Sequence, residues 1–202
     1  MERICLVVDF DGFQLRNRPF MPREVGYVPI TDEEPGHYSF DLSASVELRD
    51  EKDRKSVWYC RKFLHGLPLY PRRNEMCRAP EFLDDLLQQL YEEHKTEDKD
   101  LVAYKGGVCE KVKLEQLGIP SVNLEDFGCP KFDRIKDFYP KLQGTCWLHD
   151  KPKTGDTFHC LVAEVLTFKA WVQDNLNAKL ERSLAKRTIS KRRLLEISNS
   201  LA

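Results

Sequence analysis

The sequence has almost no net charge: 32 lysines and arginines stand against 33 aspartates and glutamates, a formal −1 over 202 residues. No whole-molecule field therefore draws nucleic acid or membrane, and any affinity for a polyanion must come from a local patch. Long apolar runs are missing too. The opening MERICLVVDFDGF reaches two aspartates after a few apolar residues, too short for a signal-peptide core, and nothing later approaches a membrane span. The expectation is an intracellular protein, cytoplasmic or nuclear, with no membrane contact. Internal repeats and low-complexity segments are absent as well. Cysteine is not scarce, but its seven copies are odd in number and widely scattered, which argues against a disulfide framework. In a reducing compartment each is by default a small buried hydrophobe, unless several cluster around a metal.

What is present suits one globular core, with 41% hydrophobic and 10% aromatic residues. ICLVVDF (4–10) is a continuous apolar run closed by Asp11-Gly12, as in a buried central strand. REVGYVPI (23–30) alternates and ends in a TDEEPG loop, and HYSFDLSASV (37–46) extends the meander. KSVWYCRKFLHGLPLY holds an amphipathic turn or two, with His65 as a loop histidine before Gly66 and Pro68. APEFLDDLLQQLYEEH (79–94) predicts a helix: Pro80 in the first turn, acids near the positive end of the dipole, and Phe82, Leu83, Leu86, Leu87 and Leu90 on one face. A strand at 101–104, a helix from Val108 to Gly118, a short strand at SVNLED, a helix in CPKFDRIKDFY and a long closing helix follow. The last has Phe158, Leu161, Val165, Phe168 and Val172 at helical spacing. This order predicts an α/β domain over 1–178, a mixed β-sheet flanked by helices. Residues 179–202 carry Lys179, Arg182, Lys186, Arg187, Lys191, Arg192 and Arg193 against Glu181 and Glu196, a net +5, and read as a basic C-terminal helix or arm. Its basic residues, Lys186, Arg187, Lys191, Arg192 and Arg193 above all, are the candidate contacts to single-stranded RNA or DNA.

Two constellations could carry chemistry. Cleavage of a phosphodiester by two hard cations needs converging carboxylates. Asp9 and Asp11, two apart at the end of the first strand, share one side of it. His159 stands five positions before Glu164 at the head of the closing helix, and Glu110 opens the mid-chain helix after a glycine turn. His159 followed at five by an acid resembles the last motif of the DEDD-type exonucleases, a general base ahead of a metal ligand; there the acid is Asp, as it is in the middle motif. In this reading Asp9, Asp11, Glu110 and Glu164 hold Mg²⁺ or Mn²⁺ and His159 activates the water.

The second constellation is CWLHDKPKTGDTFHC (146–160). Cys146-x-x-His149 lets one turn present two ligands to a tetrahedral ion, and His159 or Cys160 returns after a loop. Thiolate and imidazole ligands favour Zn²⁺. Glu110 is the acidic candidate for the fourth position.

The frame YKGG-x-CEK…LGIP-x-x-NLE-x-x-GCPK…C-x-x-H…HC, over residues 1–10 and 100–172, resembles the Maelstrom domain. That resemblance implies a ribonuclease H-like fold derived from a DEDD exonuclease, with the catalytic carboxylates largely lost and a structural Zn²⁺ held by Glu110, Cys146, His149 and Cys160. It also implies single-stranded RNA binding. In the GCPK segment Cys129 reads as loop packing. The expectation is a zinc-stabilised, non-catalytic nucleic-acid-binding or interaction module. An active 3′–5′ exonuclease or ribonuclease, and a protein-binding scaffold without nucleic-acid contact, are the alternatives.

Overall fold

The computed structural model describes residues 2–16, 18–31, 34–44, 46–48, 50–140 and 160–175. Six strands form one sheet: β1 (Ile4–Gln14), β2 (Phe20–Pro29), β3 (Gly36–Phe40), β4 (Cys77–Arg78), β5 (Leu101–Tyr104) and β6 (Ser121–Asn123), in the order β4-β3-β2-β1-β5-β6. β1 and β2, and β2 and β3, run antiparallel. β5 and β6 continue parallel to β1 on its other side. The helices are α1 (Glu51–Tyr59), continued by a π-helical turn (Cys60–Leu64), α2 (Phe82–His94), α3 (Val108–Gln116), α4 (Phe132–Ile135) and α5 (161–175). Among the described residues no helix is long and apolar enough to cross a membrane.

The apolar run of β1 needs cover on both faces, and it has it. Leu6, Val8 and Phe10 pack with Val25 and Phe40 under Leu83, Leu86, Leu87 and Leu90 of α2 and Leu114 of α3. On the opposite face Val7, Val28 and Ala103 lie under Phe132 and Ile135 of α4 and Ala163, Val165, Phe168 and Val172 of α5. Each fully buried leucine, valine or phenylalanine contributes about 1.5–3 kcal/mol, so these two layers hold the sheet between the helices. A third cluster, around Phe13, Leu15, Met21, Leu42, Val46, Val57 and Leu69, sits under α1, past the core of the sheet.

The predicted helices and strands are in place, though the strand expected over SVNLED ends at Asn123 and gives way to a 3-10 turn (Leu124–Phe127), and three further differences stand out. Asp11-Gly12 does not close β1: Gly12, Phe13 and Gln14 go on pairing with Pro22, Met21 and Phe20 across an irregularity at Arg23. β3 stops at Phe40 and not at Val46, because the Asp41 carboxylate takes the Ser43 N–H at 2.8 Å and turns the chain. The two-residue β4 and the π-helical turn have no periodic signal in the sequence. In α5 the expected Leu161, Val165, Phe168 and Val172 are all buried, while Phe158 lies outside the described residues.

Candidate active site

β1 alternates its side chains, so Asp9 and Asp11 lie on the α5 face with Val7, while Phe10 points to α2. Gly26 of β2 pairs with Asp9. A Cβ on Gly26 would come within 3.0 Å of Leu161 Cβ. The bare backbone there lets the start of α5 rest on the sheet beside Asp9. One turn on, Glu164 N–H donates to Cys160 O at 2.9 Å, and the Glu164 side chain reaches the Asp9 carboxyl.

Glu110 arrives from the other side. The turn after β5 ends in Gly107, the N-cap of α3, and Glu110 lies in the first helical turn. Its side chain folds back so closely that a Cβ on Gly107 would stand 1.4 Å from Glu110 Oε2. One backbone N–H joins two of the acids: Phe10 N donates to Asp9 Oδ1 at 3.1 Å and to Glu110 Oε1 at 3.3 Å. Asp9 is therefore the centre of the group, in hydrogen-bond contact with both Glu164 and Glu110.

All three are buried, at 8% exposure for Asp9, 4% for Glu110 and 7% for Glu164. Burial, then the charges of Glu164, Glu110 and Asp11, push Asp9 well above the usual carboxylate range. Burial also raises Glu110, against the N–H groups of Glu110 and Phe10 and the Asp9 contact, which favour its charge. Contacting carboxyls of this kind must share a proton or a cation. Among the described residues no group of three or more His, Cys, Asp and Glu is placed to hold a metal ion as it stands. Here the acids close on one another, and no N–H or O–H donor among the described residues reaches Glu110 Oε2. An all-oxygen donor set with a buried, undonated carboxylate oxygen fits hard divalent cations, Mg²⁺ or Mn²⁺.

No family model matches the chain, and no curated protein matches it. Among solved structures, a Mopeia virus exonuclease domain, fully depleted of manganese, superposes with a TM-score of 0.53 at 17% identity, covering 86% of this chain and 78% of its own. The fold is ribonuclease H-like.

On this ribonuclease H-like frame the expected residues divide. Asp9, Glu110 and Glu164 meet, with Asp11 close enough for its charge to act on Asp9. Of the expected zinc ligands, Glu110 is engaged with Asp9, and Cys160 is buried in the α5 core layer. Cys146 and His149 lie outside the described residues, as do His159 and the tail with Lys186, Arg187, Lys191, Arg192 and Arg193. His65 lies in the loop just past the π-helical turn, as expected, and is buried there. Its Nε2 donates to Gly12 O at 3.1 Å and its Nδ1 accepts from Leu67 N at 3.1 Å, a neutral tautomer that pins the turn to β1. Cys129 is buried, and burial pushes its thiol up to about 12, in keeping with packing.

Two buried polar groups were not foreseen. Glu24, fully buried, pairs in register with Asp11 on the same face, and His37 Nε2 lies 2.9 Å from its carboxylate. Arg23 meets Glu75 at 2.5 Å, with both side chains out of solvent. The one available signal was a charged Arg23-Glu24 pair inside an otherwise apolar strand.

Proposed function

We propose that the chain is a divalent-cation-dependent nuclease centred on Asp9, Asp11, Glu110 and Glu164. The observation that carries this is the convergence of buried acids from β1, α3 and α5 on Asp9, with Asp9 pushed toward its protonated form. Packing like charges out of water costs several kcal/mol, and such arrangements persist where function needs them. Bound there, divalent cations would polarise the scissile phosphate and lower the pKa of a water nucleophile. Asp9 would hold the cations from the centre, Glu110 and Glu164 from either side, and Asp11 from the more open edge. His159, five residues before Glu164, is the general base in this reading. The exonuclease neighbour supports it at the level of fold.

The test is cleavage of single-stranded DNA and RNA with Mg²⁺ or Mn²⁺. The wild type cleaves, and Asp9→Asn and Glu110→Gln each lose at least 100-fold. A folded wild type inert toward both nucleic acids with both cations refutes the reading.

A structural Zn²⁺ is compatible with this site, and we retain it as a second proposal with Cys146, His149 and Cys160. Glu24 competes with Glu110 as its carboxylate ligand: it is fully buried on β2, two residues from the Gly26 on which Leu161 rests. Metal content separates them. One zinc per chain, lost in Cys146→Ser and Glu24→Gln but kept in Glu110→Gln, supports Glu24; the opposite pattern restores Glu110. No zinc in the wild type ends the proposal.

A further inference from the structure

The segment EKDRKSVWYCRKFL (51–64), α1 with its π-helical turn, carries five basic residues against two acidic ones in a chain of net charge −1. It also exposes three aromatic rings together: Trp58 at 56%, Tyr59 at 53% and Phe63 at 54%. The π-helical turn is what assembles them. His65 N–H donates to Cys60 O, five residues back, at 3.2 Å. This wider turn brings Phe63 to within 5.4 Å of Trp58 and 5.3 Å of Tyr59, centroid to centroid. Lys62 Nζ stands 4.8 Å from the Trp58 ring centroid and 5.1 Å from that of Phe63.

Large exposed rings are costly to leave in water, and among the described residues the packing of this helix does not depend on them. The buried side of the helix is carried by Val57 and Asp53 instead, Asp53 Oδ1 accepting from Arg16 N at 2.9 Å. Ser56 Oγ adds a hydrogen bond to Gln14 O at 3.3 Å, and His65 one to Gly12 O. The segment is thus fastened to the stretch of β1 that directly follows Asp11. The His65 contact falls on Gly12, the residue after Asp11, and the charge of Asp11 reaches Cys60 at the base of the aromatic group.

We propose that Trp58, Tyr59 and Phe63 form a stacking platform for the bases of a single-stranded nucleic acid, with Arg61 and Lys62 meeting its phosphates. The occupant follows from the chemistry: flat apolar rings interleaved with cations match unpaired bases on a polyanion, and the platform adjoins carboxylates suited to phosphodiester cleavage. The inference rests on the nuclease reading for its substrate class, but its test does not depend on catalysis.

The experiment is binding of fluorescein-labelled single-stranded dT and rU 15-mers in EDTA, followed by anisotropy at low and moderate salt. It uses the full chain and the variants Trp58→Ala, Phe63→Ala and Lys62→Ala. Losing one stacked ring weakens binding about 10-fold. Trp58→Ala and Phe63→Ala should each show this loss with unchanged Tm, since both rings lie mostly in solvent, and Lys62→Ala should flatten the salt dependence. Unchanged affinity in both aromatic variants overturns the proposal, as does a wild type that binds neither oligomer at low salt; the patch then belongs to a protein partner. Binding that weakens as expected in a wild type that never cleaves refutes the nuclease reading and leaves the platform standing.

Discussion

Replacing Asp9 by Asn tests the acidic site without any knowledge of substrate. In the metal-free fold, burial and the charges of Glu164, Glu110 and Asp11 hold the Asp9 carboxyl protonated well above its ordinary value of 3.8. Folding therefore takes up a proton over the range between that value and the raised one. The sign follows: the contribution to stability is complete below about pH 3.8 and drains as pH rises through the folded value, at about 1.4 kcal/mol per proton per pH unit. Asn has the same shape, stays neutral, and can donate to the neighbouring carboxylates, so the drain is removed. Replacing a charge in such a cluster is worth about 1–3 kcal/mol, or a rise in Tm of roughly 3–9 °C for a chain of this size. In EDTA at pH 7.5, Asp9→Asn should therefore melt above the wild type, and the gap should close toward pH 4. Added Mn²⁺ should reverse the order. Cation at 100 times its Kd stabilises the wild type by about 2.7 kcal/mol, while the Asn variant loses its central ligand and gains little. Thermal melts by circular dichroism, with and without Mn²⁺, read all of this. A destabilised Asp9→Asn in EDTA at pH 7.5, together with a wild-type Tm indifferent to Mn²⁺, would show that the acids are a structural network and not a cation site.

Close packing at Gly107, Gly26 and Glu75 sets three further outcomes. Gly107→Ala places a methyl 1.4 Å from the position of Glu110 Oε2 and must evict that carboxylate, so the Mn²⁺-dependent rise in Tm and any cleavage should fall while the circular dichroism spectrum is kept. Gly26→Ala sets a Cβ 3.0–3.1 Å from the Leu161 side chain and backbone; the start of α5 must lift, at about 1–3 kcal/mol in urea unfolding. Glu75→Ala leaves the fully buried Arg23 guanidinium without its partner and should cost about 3–5 kcal/mol. Burial pushes the Glu75 carboxyl up, but the Arg72 N–H and Arg23 outweigh it and hold it below the ordinary 4.5. The Glu75 contribution is thus present above pH 4.5 and lost as pH falls, and acid melts of wild type and variant should converge.

Much of the fold was legible along the chain because its signals are local. The continuous apolar run at 4–10 needs two covering layers, and the helical spacing of Leu83, Leu86, Leu87 and Leu90 needs one face buried; both conditions are met. Asp11-Gly12 misled for the opposite reason. A dipeptide that favours turns was held in a strand by pairing with Glu24 and Pro22, partners whose register no local pattern encodes. The π-helical turn at 60–64 is similar, since only tertiary fastening through His65 and Gly12 selects it over an ordinary helical turn.

The site divides the same way. The sequence by itself marked Asp9, Asp11, Glu110 and Glu164 as acids at strand ends and helix starts, and determined the α/β order that could bring them together. It left Glu110 open between two metals. Only the tertiary structure decided that Glu110 turns back over Gly107 to share the Phe10 N–H with Asp9, and that Glu164 closes on Asp9 from α5. It alone revealed Glu24 beside His37 and the exposed rings of Trp58, Tyr59 and Phe63 gathered on the turn that His65 ties to Gly12. The physical reason is separation: the three acids of the cluster are 101 and 54 residues apart along the chain. Their meeting depends on strand order and on the close approaches that Gly26 and Gly107 permit, none of which has a local signature.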